Sequence, residues 1–213
     1  PEAPEGEPFG ASELLVPRQR CLLGVQIGPM APWNLVRDGR PLPEKDLARQ
    51  SGGAGVVLRV VVFAPGFELA ADEASMSLPP PPTPSERVLF KLTLPAEAGV
   101  HRVRVALYHG NNVLQSILMR VRVAAPVQAS PAAARSRAPR SPSVRAEVEY
   151  ALSDTLVEPA SLPGRTVNIL CNDGGDGTHT FAIVGAGFKK DLRFGEGRMR
   201  AAVDAARGAL LEV

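Results

Sequence analysis

The chain has 213 residues, 45% of them apolar and 22% charged, and its 24 basic and 22 acidic side chains leave a formal charge of +2. Those proportions are ordinary for a globular protein with a core, and the charge is too balanced to imply a nucleic-acid partner. Two cysteines, Cys21 and Cys171, are too few for a disulfide scaffold, and no apolar run approaches the roughly 18 residues that span a bilayer.

In chain order, residues 1–13 form an acidic, proline-rich lead-in with little to bury, unlike a signal peptide. A first strand is expected at Arg20–Ile27, ended by Gly28-Pro29, with Trp33 in the loop beyond it. Residues 37–55 are charged and then glycine-rich, and read as a long loop. Val56–Phe63 is apolar on both faces except at Arg59, which is the pattern of a central strand. After the turn at Ala64-Pro65-Gly66, Phe67–Leu69 resumes the strand. Pro79–Pro82 and Pro84 offer a sheet no backbone donors, and read as a stiff inter-strand spacer.

Val88–Leu94 alternates, with Val88, Phe90, Leu92 and Leu94 inward and Leu89, Lys91 and Thr93 outward. Val103, Val105 and Leu107 then point in, while Arg102, Arg104 and Tyr108 point out. His109-Gly110-Asn111-Asn112 supplies the residues that tolerate a hairpin's positive φ. Ile117, Met119, Val121 and Val123 return inward. The economical fold for 14–125 is an immunoglobulin-like β-sandwich, although the Cys–Trp–Cys spacing of true immunoglobulin domains is missing.

Residues 126–143 are nearly all Ala, Pro, Ser and Arg and read as a flexible linker. Beyond it, 144–213 reads as a small α+β module: a strand at RAEVEYAL, a hairpin of Thr166–Cys171 and Thr180–Val184, a strand at Phe188–Phe194, and a helix from Glu196. Met199, Val203, Ala206, Leu210 and Val213 form that helix's apolar seam. The fold class is therefore mainly β, with a C-terminal helix. A start at Pro1 and a seam still running at Val213 suggest a fragment of a larger polypeptide.

Gly174-Gly175-Asp176-Gly177-Thr178 resembles the signature of the diacylglycerol-kinase and NAD-kinase superfamily, in which a strand delivers the loop and a helix follows. Here HTFAIVGAG follows and is strand-like, so no helix dipole faces the turn. Asn172, Gly174 and Asp176 imitate the start of a calcium loop, but Ile183 stands where its bidentate Glu belongs. Cys171 and His179 straddle the hairpin, the minimum for thiol catalysis, with no third group in view. The three histidines, His101, His109 and His179, are too scattered for a zinc site, so no metal and no cofactor is expected.

If the strands flanking the His109 turn pair, Arg102, Arg104, Arg120 and Arg122 share one sheet face. Like charges abreast need counter-charges, which Glu147 and Glu149, another domain or subunit, or a phosphate could supply. Aromatic interleaving is limited to Tyr108, which argues against single-stranded nucleic acid.

APGFEL, the proline-rich loop, VLFKLTLPAEAGVHRVRVALYHGNNVLQS and the strand after it resemble β-sandwich modules of large bacterial multidomain proteins. Those modules sit beside caspase-like (CHAT-type) peptidase or other effector domains of conflict and signalling systems. VNILCNDGGDGTHTFAIVG with its Arg-bearing helix is similar to the segment leading into the effector domain there. The resemblance implies an accessory region without catalytic residues. The expectation is a cytoplasmic, non-enzymatic interaction or scaffolding protein with reduced, buried thiols. It would contact another protein or another domain of its own polypeptide, and not a membrane, through Arg102, Arg104, Arg120, Arg122, Met199, Val203 and Leu210. The alternative is a phosphotransferase holding a nucleotide on residues 174–178.

Overall fold

The computed structural model describes residues 14–29, 34–36, 42, 44–110, 112–125, 142–151, 166–173, 177–185 and 187–211. The chain is mainly β and divides into two units, residues 1–163 and 164–213.

In the first unit, period-two apolar patterns build two antiparallel sheets around one core. The strands are β1 (Arg20–Val25), β2 (Val56–Phe63), β3 (Glu68–Leu69), β4 (Glu73–Leu78), β5 (Val88–Thr93), β6 (Gly99–His109), β7 (Asn112–Val123) and β8 (Val144–Ala151). One sheet has the order β1-β5-β3 and the other β4-β2-β6-β7-β8. Leu23, Val25, Phe90, Leu92 and Leu94 from the first meet Leu58, Val60, Val62, Met76, Val103, Val105, Leu107, Met119, Val121 and Val123 from the second. At about 25 cal/mol per Å² of apolar surface removed from water, this shared face is the main stabilising term of the unit.

The alternation expected at Val88–Leu94 is the one observed: Phe90, Leu92 and Leu94 are buried, Leu89 and Lys91 exposed. β5 does not continue the meander, however. It leaves the sheet of β2, β6 and β7 and pairs with β1 from Arg20–Thr93 to Val25–Val88. The proline run 79–84 is the crossover between the sheets, pinned where the Ser85 hydroxyl accepts the Ile27 N–H at 2.9 Å. A short connection that needs no ladder donors is a natural place for prolines.

Three further differences have physical reasons. Residues 44–50, expected in a loop, form helix α1 (Glu44–Gln50), which Leu47 anchors in the core. Gly52 at φ 65° ends it, and the Gly53 N–H bonds the Ala48 carbonyl at 2.8 Å, a Schellman-type stop. β4 was hidden between turns, yet Glu-Ala-Ser-Met-Ser-Leu alternates cleanly and buries Met76 and Leu78.

Val144–Ala151, expected to open the C-terminal module, instead extends the five-stranded sheet, pairing with β7 from Val121–Val144 to Gln115–Ala151. A strand's alternation says which face is apolar but not which neighbour it bonds. The lead-in at 1–13, Trp33 and residues 126–141 of the expected linker lie outside the described residues.

The second unit is an antiparallel sheet of β9 (Val167–Asp173), β10 (Thr178–Gly185) and β11 (Phe188–Gly195), in the order β11-β10-β9, followed by helix α2 (Glu196–Leu211). The Glu196 N–H bonds the Gly177 carbonyl at 2.8 Å, and Arg200 bonds Glu196 at 2.9 Å across one helical turn. Among the described residues no helix is long and apolar enough to cross a membrane.

Candidate functional site

The outer face of the five-stranded sheet carries the most unusual chemistry. Antiparallel pairing puts Arg102 opposite Arg120, Arg104 opposite Leu118, and Arg120 opposite Arg145. The four arginines expected to share a face therefore do so, and Arg145 joins them because β8 belongs to this sheet. Adjacent strands lie about 4.8 Å apart, so guanidinium groups abreast repel unless countered.

Glu147 and Glu149, on β8, are the counter-charges. Arg104 Nη1 lies 2.6 Å from the Glu149 carboxylate, with side chains 14% and 35% exposed. Arg120 Nη1 lies 2.8 Å from Glu147, at 44% and 51%. The first pair is half-sequestered and the second is in water, so the first contributes more to stability.

Deeper in this face, Arg104 Nη1 also donates to the buried Ser116 hydroxyl at 2.7 Å. Arg59 stacks over the Tyr108 ring at 4.8 Å. Tyr108, read as outward-pointing, is on this face but fully buried, as are Val61 and Ala106. It is unavailable as a stacking platform for bases. Among the described residues its hydroxyl has no hydrogen-bond partner, and neither do Arg59 Nε and Nη2 or Arg104 Nε.

Burial pushes the Tyr108 hydroxyl up from 10.0 to about 12, with Arg59 pulling it down, Glu73 raising it and Arg104 pulling it down. The folded state thus keeps a proton that the unfolded chain has released. The titration of Tyr108 therefore leaves stability unchanged below about pH 10 and lowers it as pH rises from there through about 12. Tyr108→Phe keeps the ring under Arg59 and removes an unsatisfied buried hydroxyl. It is expected to stabilise the protein by about 1 kcal/mol at pH 7 and to shallow the loss of stability between pH 10 and 12. Urea titrations of both proteins at pH 7 and 11 would check this.

Gly174, Gly175 and Asp176 lie outside the described residues, Gly177 has φ 76°, and Thr178 opens β10 rather than a helix. A left-handed glycine followed by a strand is hairpin geometry. Among the described residues no group of three His, Cys, Asp or Glu could hold a metal ion.

Register puts His179 opposite Asp173 and Phe181 opposite Cys171, so Cys171 and His179 stand diagonally on one face. Among the described residues the two cysteines form no disulfide with one another, and only Cys21 is half-buried. Cys171 is exposed, not buried as expected. The face around Cys171 is apolar and open, with Val167, Ile169 and Phe188 exposed and Phe181 edge-on to Phe194. On α2, Met199 is half-buried and Val203 exposed. Arg198 stacks on Phe194 at 5.1 Å, and the Leu210 side chain lies outside what is described.

A two-sheet sandwich with an arginine-rich outer face is a scaffold on which many activities occur. No protein-family model and no solved structure matches the chain. A probable protease of Vitiosangium sp. (strain GDMCC 1.1324) is 28% identical over 233 residues. The match covers 98% of this chain and 28% of that protein, so the chain spans little more than a quarter of the relative's length. That finding overturns the expectation of a non-catalytic scaffold and of a protein that is not an enzyme. The correction comes from a relative's name, because no local string in this chain carries a protease signature that could have given it.

Proposed function

We propose that this protein acts in peptide-bond hydrolysis. The observation that supports it is the near-complete coverage of the chain, 98%, by its likeness to a probable protease. A similarity running through both units ties sandwich and hairpin module alike to that enzyme, whereas one shared motif would not. The modules that the chain resembles sit beside caspase-like peptidase domains and imply no catalytic residues here, so thiol chemistry is a separate arm of the test.

Cys171 and His179 share a face by strand register alone, and no nucleophile is assigned to this chain. Thiol attack needs a base in reach of the sulfur. The test is hydrolysis of fluorogenic unfolded casein by the protein expressed from its natural reading frame. Release of fluorescence that iodoacetamide stops is expected. No hydrolysis would overturn the proteolytic reading, and hydrolysis insensitive to thiol alkylation would overturn the thiol chemistry.

A further inference from the structure

Arg59 and Tyr108 bring buried donors together on the outer face of the five-stranded sheet. The two residues stand directly opposite each other on β2 and β6, with the guanidinium 4.8 Å above the ring centre. Among the described residues, Arg59 Nε and Nη2, the Tyr108 hydroxyl and Arg104 Nε are sealed from solvent and bond to no acceptor. Arg104 approaches along β6: its Nη1 bonds Ser116, which pairs with Ala106, two residues short of Tyr108. Both guanidinium groups act electrostatically on the Tyr108 hydroxyl, which places them near it. A buried donor without an acceptor is costly, more so on a charged group, and four in one patch call for a partner.

We infer that this cluster binds a carboxylate group. All four atoms are donors, so the partner they lack is one that brings lone pairs. A water molecule would bring two protons of its own, with no acceptor among these atoms to take them. In a guanidinium, Nε–H and one Nη2–H are parallel prongs of a side-on fork, spaced for the two oxygens of a single carboxylate. Those are the two Arg59 nitrogens without a partner. The stack on Tyr108 holds the fork in place, and the hydroxyl at the end of that ring offers the same ligand a third donor. Arg59 as a whole is half-buried, so solvent reaches part of its side chain beside the sealed nitrogens.

Other anions fit less well. A phosphate carries more oxygens and more charge than this patch has donors for, and Glu149, which holds Arg104, repels a dianion. A halide offers one acceptor atom and makes no use of paired prongs. Enclosure limits the ligand to a small free acid or to the tip of a larger one, such as the carboxyl end of a peptide.

The probe is sodium acetate, followed by saturation-transfer NMR from the full chain to the acetate methyl group, with circular dichroism confirming that each variant is folded. Acetate is expected to bind the wild type and to bind about tenfold more weakly to Arg59→Lys, which keeps the charge and loses the fork. Binding should fall several-fold in Tyr108→Phe and stay unchanged in Lys91→Ser on the other sheet. Acetate should also narrow the stability gap between wild type and Tyr108→Phe, because the hydroxyl then has an acceptor. Acetyl-trialanine that displaces acetate assigns the group to a peptide end, and failure to displace it assigns a small free acid; its amide should displace acetate in neither case. No saturation transfer to acetate, unchanged binding by a folded Arg59→Lys protein, or displacement by the amide would overturn the inference. So would chloride that displaces acetate at equal concentration. The site does not rest on the proteolytic reading, and no step of this test involves cleavage, so it fails separately from the casein assay.

Discussion

Replacing Phe90 by Ala is expected to destabilise the first unit by about 3–5 kcal/mol, the range for deleting a buried aromatic ring. Phe90 is 2% exposed and faces the core from the middle of the three-stranded sheet. Its neighbour Leu89 is 57% exposed on the opposite side of the same strand. Leu89→Ala should therefore stay within about 0.5 kcal/mol of wild type. Thermal melts followed by circular dichroism separate the two, with a fall of roughly 10 °C or more for Phe90→Ala. Equal effects at the two positions would mean that β5 does not present its alternate residues to a shared core.

Removing the charge of Glu149 is the second large effect. Arg104 is largely sequestered, its Nε has no partner among the described residues, and Glu149 and Ser116 are the groups seen to bond its Nη1. Glu149→Gln leaves a guanidinium out of water without its counter-charge. Loss of a partner from a fully buried pair costs about 3–5 kcal/mol, and the partial exposure of this one lowers the expectation to about 2–3 kcal/mol. Glu147→Gln breaks the same kind of pair in water and should cost less than about 1 kcal/mol. Urea titration of the two variants and of Arg104→Met/Glu149→Gln gives the comparison. The double variant should recover part of the loss, since it no longer buries a lone charge.

The strands with strict alternation could be read from their residues, and so could the sharing of one face by the arginines. Val88–Leu94 and Val103–Leu107 have one apolar side each, and only one register buries it. The pairing of β6 with β7 followed from the Gly and Asn of the intervening turn. Counter-charge from Glu147 and Glu149 was among the options because charges abreast demand it.

What could not be read was of a different kind. The helix at Glu44–Gln50 is anchored by Leu47 and a glycine stop, too little periodicity to stand out. β8 follows a stretch rich in Ala, Pro and Ser, and its own pattern does not say that its ladder partner is β7. Tyr108 lies on the side of β6 that carries arginines, and only the fold shows that the middle of this side is buried too. The likeness to a probable protease could not be read from the residues for a further reason. Peptide-bond hydrolysis needs a nucleophile, a base and oxyanion donors in one geometry, and no short string of this chain announces them.

The most direct test is to incubate the protein from its natural reading frame with an unfolded polypeptide and identify new amino termini by mass spectrometry. The account predicts new termini in the polypeptide that are absent after heat inactivation of the protein. A polypeptide recovered intact at every time point would contradict it.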